Sequence, residues 1–174
     1  MSESNDKLWR SLIVDVPDFP QPGILFRDVT PLLESGEGLR SAVDALAGAF
    51  SNIDIVAGIE SRGFIFGAPV AYALGVGMAP VRKPGKLPRA TASADYALEY
   101  GVNTLQLHRD AVTPGQRVLI VDDVLATGGT AAATVALIEE LGAKVAGVAV
   151  LIELTELDGR AKLGDVPLVS LMTY

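Results

Sequence analysis

The sequence predicts an α/β fold, a central parallel sheet with helices on both of its faces. Val118-Leu119-Ile120-Val121 and Lys144–Ile152 are strand-like runs with apolar residues at consecutive positions, as suits strands covered on both sides. Helical patterns alternate with these strands, which implies parallel pairing through crossover helices. The 18 glycines and 6% aromatic content suit tight strand-to-helix turns better than a β-sandwich. At 174 residues, the natural reading is a single domain, 1–174, large enough to bury a substantial core.

The elements follow in order. Ser4–Ile13 has a short amphipathic pattern with Leu8 and Leu12 on one face, and Trp9 is expected to pack this head against a core or a partner. Pro17, Pro20, Pro22 and Gly23 force an extended, turning segment into Ile24-Leu25-Phe26. Thr30-Pro31 reads as a helix start with threonine as cap and proline at the first helical position, and Asp28 is a second candidate cap. Leu39, Val43, Leu46, Ala47 and Phe50 space a helix over Leu39–Phe50, and Ile53–Ile59 is a short apolar strand. Gly63 to Val81 carries no charge over about the ~20 residues of a membrane span. Its glycines, Pro69 and Pro80 divide it instead into a buried helix, Phe66–Leu74, and a strand, Met78–Val81. Arg82–Arg109 interrupts the rhythm with a Pro/Gly-rich basic loop and two alternating runs, Tyr96–Tyr100 and Thr104–Leu107. Joined through Gly101-Val102-Asn103, these predict a β-hairpin projecting from the sheet, with His108 at its surface. Gly129–Leu141 is helical, and Gly142 ends it before Lys144–Ile152.

Composition limits the function. Lys+Arg number 14 against 21 Asp+Glu, a net charge of −7, which argues against a general nucleic-acid or anionic-membrane binder. With 49% hydrophobic residues the chain is not disordered. The absence of cysteine removes any disulfide framework or thiolate metal site and fits a reducing, cytoplasmic setting. MSESNDKLWR at the head lacks the apolar core of a secretory signal.

The chemistry concentrates in VLIVDDVLATGGTAAA, Val118–Ala133. A buried strand ends in Asp122-Asp123, and Ala126-Thr127-Gly128-Gly129-Thr130 leads into a helix. Open α/β sheets bind ligands outside the carboxyl ends of their strands. Two glycines allow close backbone approach, amides and threonine hydroxyls can donate, and the helix N-terminus adds positive dipole, which together suit a phosphate monoester. The adjacent carboxylates would repel that phosphate but suit vicinal ribose hydroxyls, so a sugar 5-phosphate fits both halves. A triphosphatase loop needs a lysine after the glycines, where this chain has alanines, and a dinucleotide fingerprint needs three spaced glycines. The plainer alternative is a tight turn with surface acids.

Two more stretches carry positive charge. Glu60-Ser61-Arg62-Gly63 leaves a strand and opens a helix, so its amides and Arg62 make a second anion cradle. Arg82, Lys83, Lys86 and Arg89 have no acid among them, and Pro84, Gly85 and Pro88 shape them into a loop that could close over a polyanion. A solvated charged face is the alternative. No set of carboxylates resembles a dedicated metal cage, so a metal would ride on the substrate.

Val118–Thr130 resembles the phosphoribosyl-diphosphate signature of type I phosphoribosyltransferases. PDFPQPGILFRDVTPLL (Pro17–Leu33), ESRGFIFGAPVA (Glu60–Ala71), RKPGKLP (Arg82–Pro88) and YALEYGVNTLQLHRDAV (Tyr96–Val112) narrow the resemblance to the adenine phosphoribosyltransferase family. The FRD and LEYG stretches are the specific ones. The resemblance implies a Rossmann-like central sheet, an N-terminal hood over 1–34, and an α/β core over 35–174 that includes the 82–109 flexible loop and hairpin. It implies transfer of the 5-phosphoribosyl group of 5-phosphoribosyl 1-diphosphate to N9 of adenine, giving AMP and diphosphate. It also implies a requirement for Mg2+, held mainly by the diphosphate and the ribose hydroxyls.

Carried onto this chain, the resemblance assigns ribose 5-phosphate to Asp122, Asp123, Ala126, Thr127, Gly128, Gly129 and Thr130. Ser61, Arg62, Arg82, Lys83 and Lys86 take the diphosphate, with a cis peptide expected between Glu60 and Ser61. Main-chain groups around Leu25, Phe26 and Arg27 take adenine, and Phe26, Val124 and Leu125 offer apolar faces for the ring. Glu99 is the acid/base beside the purine imidazole. Relatives dimerise through the head, the basic loop and the hairpin, which implies a homodimer. Ala90–Asp95 (ATASAD) departs from the pattern in being small and polar. Two alternatives stay open: transfer to another purine, and a non-enzymatic phosphoribosyl-diphosphate sensor. Enzymes for 6-oxo purines usually place a lysine in a later loop, where Glu153-Leu154-Thr155-Glu156 has none. Sensors tend to add a nucleic-acid-binding domain, for which the chain has no spare length.

Overall fold

The computed structural model describes residues 3–97 and 102–174. Helix α1 (Glu3–Ser11) leads to an antiparallel ribbon of β1 (Val14–Pro17) and β2 (Leu25–Asp28), then to α2 (Thr30–Glu34) and α3 (Gly36–Ala47). Next come β3 (Ile55–Ile59), α4 (Arg62–Leu74), β4 (Gly77–Val81) and the hairpin β5 (Thr91–Ala97) and β6 (Val102–His108). The chain continues through β7 (Arg117–Leu125), α5 (Gly129–Glu140) and β8 (Lys144–Glu153). Two short 3-10 turns, Thr155–Leu157 and Gly159–Leu163, lead to β9 (Leu168–Thr173).

The five strands of the central sheet are parallel, in the order β4-β3-β7-β8-β9. The chain builds outward from β3 to β4, returns to the other side of β3 with β7, and then builds outward again. This reversal between β3 and β7 is the switch point at which open α/β sheets bind ligands. β3 pairs with β7 only as far as Gly58↔Val121, whereas β7 continues beside β8 to Leu125↔Glu153. Asp122 and Asp123 therefore stand on an overhang of β7, inside the strand and not at its end as expected.

Side-chain alternation on β7 feeds two cores. Val118 and Ile120 join Leu137, Ile138, Leu105 and Leu107 beneath α5 and the hairpin. Leu119 and Val121 join Trp9, Leu32, Leu46 and Phe66 beneath the other helices. The charge-free stretch resolves into α4 and β4, and no helix among the described residues is long and apolar enough to cross a membrane.

Several expectations need correction. Val29, not Thr30, precedes α2 as its cap, and Asp28 Oδ1 accepts from the Thr30 amide at 2.9 Å and its hydroxyl at 2.6 Å. The turning segment after the head is a paired ribbon, β1–β2. The ATASAD stretch is strand from Thr91 on and pairs rung by rung with β6 (Thr91↔His108, Asp95↔Thr104). Val102 and Asn103 also belong to the ladder and not to its turn. The hairpin base is docked: Ala92, Leu105 and Leu107 are core residues, and Arg82 and Gln106 exchange backbone hydrogen bonds of 2.9 and 2.7 Å. His108 is only 8% exposed, with its Nδ1 3.1 Å from the Arg89 guanidinium. β9 went unseen because its crossover uses 3-10 turns, so no helical period announces it.

Trp9 is fully buried, and its indole N–H donates to Ser41 Oγ at 2.9 Å, tying α1 to α3. Trp9→Ala is expected to lower the unfolding free energy by about 3–5 kcal/mol, as for large aromatic truncations. Urea unfolding measures this, and an unchanged midpoint would mean that α1 lies outside the cooperative unit.

Candidate functional site

At the top of β7, Ala126–Gly128 crosses to α5 with Gly128 as the cap residue at φ 77°. That left-handed conformation favours glycine, and no side chain caps the helix, so the first-turn amides are not consumed by a capping side chain. A cavity of about 80 Å³ sits here, lined by Asp122, Val124–Ala131 and Val150. It opens beside a larger cavity of about 530 Å³ that shares Asp122, Val124, Ala126 and Thr130. The larger one is within the usual range for small-ligand sites.

The two carboxylates on the overhang differ in surroundings. Asp123 is buried, and its Oδ2 lies 2.9 Å from Arg62 Nε as an ion pair. That N–H is not aligned for a hydrogen bond, so Oδ2 has no hydrogen-bond partner. Burial pushes the Asp123 carboxyl up, with Arg62 opposing. Asp122 Oδ1 accepts from the Asp123 amide at 2.9 Å. Burial and then the Asp123 charge push its carboxyl well above the ordinary carboxylate range. Gly63 makes this arrangement possible, because a Cβ there would come within 2.8 Å of Asp122 Oδ1.

Opposite, Ser61 opens α4 at φ 76°, ψ −112°, a strained conformation for a side-chain-bearing residue. The expected cis bond between Glu60 and Ser61 is absent: the cis peptide among the described residues is Phe19-Pro20. Strain at this turn resides in the Ser61 dihedrals instead. Glu60 organises the basic loop. Its carboxylate accepts from Lys86 Nζ at 2.6 Å, from the Lys83 amide at 2.7 Å and from Arg82 Nε at 3.3 Å. Burial works against its charge, but these donors outweigh burial and hold its carboxyl below the usual range. Of the expected diphosphate residues, Ser61, Arg62 and Lys83 line the large cavity, and Arg82 and Lys86 reach it through Glu60, which lines it too. Arg89 is paired with Asp110 at 2.5 Å.

The hood adds a third cleft, about 360 Å³, lined by Val16, Phe19, Phe26, Asp28, Thr30 and Arg62. Phe19 and Phe26 meet edge to face at 5.1 Å, and Arg62 stacks over Phe26 at 5.1 Å, so one guanidinium borders both this cleft and the large cavity. The β1–β2 ribbon leaves one edge of β2 without a strand, and with it main-chain donors and acceptors near Leu25 and Phe26. The Arg27 side chain is engaged with Asp15 and stacks on Tyr174 at 4.3 Å.

Most expected residues thus converge on the switch point. Leu125 does not present a ring face to the hood cleft, being buried in the core beneath α5, whereas Val124 lines both cavities. Glu99 lies outside the described residues. Sequence reasoning missed Tyr96 and Leu105, which line the large cavity, and Phe19, which walls the cleft. Phe19 was discoverable, being an aromatic set among turn-forming prolines.

Comparison with known proteins shows what the chain is similar to. The phosphoribosyl transferase domain family model matches residues 31–166. An adenine phosphoribosyltransferase from Thermosynechococcus vestitus is 59% identical over 95% of this chain and 98% of its own. The crystal structure of adenine phosphoribosyltransferase from Thermoanaerobacter pseudethanolicus superposes with a TM-score of 0.94 at 49% identity, covering 97% of this chain and 99% of that one. The Saccharomyces cerevisiae enzyme, complexed with an imino-altritol bisphosphate and adenine, superposes at 0.93 with 40% identity, covering 98% and 99%.

The raised Asp122 pKa has a definite sign in stability. Between the unfolded and folded pKa values the native chain holds more protons than the unfolded one, so ligand-free stability falls as pH rises through that window. Asp122→Asn is therefore expected to be more stable than the parent at pH 8, with the gain shrinking toward pH 4. Urea unfolding at both pH values measures it, and a pH-independent difference would refute the assignment.

Proposed function

The chain belongs to the phosphoribosyl transferase family, and from that membership we propose that it serves purine salvage, transferring the 5-phosphoribosyl group of 5-phosphoribosyl 1-diphosphate to N9 of adenine and releasing AMP and diphosphate. One observation carries the reading: a phosphate-sized loop, an acid pair and an aromatic cleft adjoin at one switch point, with Arg62 between the last two. Relatives named for this activity, 59% identical across nearly the whole chain, support it.

In this reading, the amides and hydroxyls of Ala126–Thr130 hold the 5-phosphate, and Asp122 and Asp123 accept from the ribose 2- and 3-hydroxyls. Asp123 Oδ2, ion-paired with Arg62 but without a hydrogen bond, is a ready acceptor. Adenine enters beside Phe26, where main-chain groups around Leu25, Phe26 and Arg27 pair with its N1/N6 edge. A 6-oxo purine would leave those groups unpaired. The diphosphate lies against Ser61 and Arg62 and draws Arg82, Lys83 and Lys86 from Glu60. N9 then bonds to C1 of the ribose as the C1–oxygen bond breaks, and the electron pair departs on the diphosphate. Glu99 takes the proton that the purine imidazole releases. Because the transition state has oxocarbenium character, positioning and charge stabilisation dominate. In this reading Mg2+ would be carried mainly by the substrate diphosphate and ribose hydroxyls and would neutralise charge on the leaving diphosphate.

The chain functions as one unit, 1–34 as hood over the 35–174 core, in the cytoplasm and as a homodimer. An apolar stripe on α4, with Ile65 exposed and Tyr72 89% exposed, supports pairing with a second copy.

AMP formation from adenine and 5-phosphoribosyl 1-diphosphate with Mg2+ is the direct assay. Turnover with adenine is expected to exceed that with hypoxanthine by at least about 10³-fold in kcat/KM, and a preference for hypoxanthine would overturn the adenine reading. Glu99→Ala is expected to lower kcat by about 10²–10⁴-fold with little change in either KM. Parent-like turnover in that variant would remove Glu99 from the reaction.

A further inference from the structure

Among the described residues, the mechanism leaves one buried acid unused. Glu153 ends β8, 5% exposed, at the last rung beside Leu125, where β7 gives way to the phosphate loop. A carboxylate here, between two neighbouring strands, needs donors to offset its burial. Arg160 supplies two in a fork, Nε to Oε1 at 2.9 Å and Nη2 to Oε2 at 2.6 Å, and Ser170 Oγ adds a third to Oε2 at 2.8 Å. The three partners come from β8, the 159–163 turn and β9. These hydrogen bonds, Arg160's first, hold the Glu153 carboxyl below its usual range, so the clamp stays ionic at neutral pH.

That turn presses on the phosphate loop with bare backbone. A Cβ on Gly159 would stand 2.1 Å from the Ala126 carbonyl oxygen and 2.9 Å from the Gly128 nitrogen. A Cβ on Gly128 would stand 2.2 Å from the Gly159 carbonyl oxygen. With no side chain between them, the two segments have no compliant layer, and a shift of the turn is a shift of the loop. The far end of the turn is anchored by Leu163 in the core beneath α5. The near end, beside the loop, is secured by Arg160.

We propose that Glu153 is a positioning residue for the 5-phosphate site: clamped by Arg160 and Ser170, it sets where Gly159 backs Gly128 and so where the loop amides point. It touches no substrate. Its effect falls on the ribose-phosphate half of the site and spares the adenine half, because the hood cleft shares no residue with this clamp. Misplacement by about 1 Å can cost about 10²-fold in a positioned reaction.

The proposal rests on the phosphoribosyl reading, and its test separates the two. Glu153→Gln, Arg160→Lys, Ser170→Ala and Gly159→Ala are made in the full chain. KM is measured for 5-phosphoribosyl 1-diphosphate and for adenine, ribose 5-phosphate affinity by calorimetry, and folding by urea unfolding. Glu153→Gln and Gly159→Ala are expected to raise the first KM and the ribose 5-phosphate Kd by about 10- to 100-fold, with adenine KM within about twofold. Arg160→Lys, which keeps charge but loses the fork, falls between these and the parent. Equal changes in both KM values, or an unchanged ribose 5-phosphate Kd in folded variants, would overturn the proposal. If Glu153→Gln does not fold, Ser170→Ala and Arg160→Lys decide by the same split. If the parent binds ribose 5-phosphate yet makes no AMP from adenine, the adenine reading fails while the clamp is still judged by ribose 5-phosphate affinity.

Discussion

Two consecutive carboxylates share a mostly buried ledge at the top of β7, and much of the neighbouring structure answers to the cost of keeping them there. Desolvation opposes the charge of both, and the Asp123 charge further opposes that of Asp122. Arg62 comes down from the start of α4 to one of them, and Gly63 gives up its side chain so that the other has room. The ledge exists because β7 outruns β3, leaving Asp122 and Asp123 beside a β3 that has already turned away.

The cations follow the same logic. Arg82 and Lys86, the reserve of positive charge, are held by Glu60, and Arg62 is held by Asp123. In the reading proposed above, Glu60 stands where an incoming anion would compete for the cations, and Asp123 would exchange Arg62 for a hydroxyl donor. A net charge of −7 is therefore compatible with a polyanionic substrate, because binding exchanges one set of ion pairs for another. The exchange is local, and the distant acids matter little at physiological ionic strength.

Some of this was legible in the residues alone. Val118–Thr130 declared itself because a doubly buried strand, two acids and a glycine pair occur within one short run, so neighbours in sequence are neighbours in space. The alternation of strand and helix was equally local. Glu60 with Lys86, 26 residues apart, and Glu153 with Ser170, 17 apart, were not, since nothing in their spacing shows that sheet order brings them together. His108 read as a surface residue because the docking of its hairpin beneath Arg89 is a tertiary event. The ATASAD stretch shows in sequence only as small and polar, with little strand preference, yet pairing with β6 and cover from α5 hold it extended.

By itself, the sequence determined that doubly apolar strands alternate with helices and that two acids and a glycine pair fall together in one short run, Val118–Thr130. These depend on periodicity, glycine and the chemistry of adjacent residues, all of which act over a few positions. Only the tertiary structure decided that β7 overhangs β3, that Glu60 and Asp123 hold the cations, and that Gly159 backs Gly128. Those depend on strand order and on backbone contacts below side-chain distance, which arise when the sheet closes around its switch point.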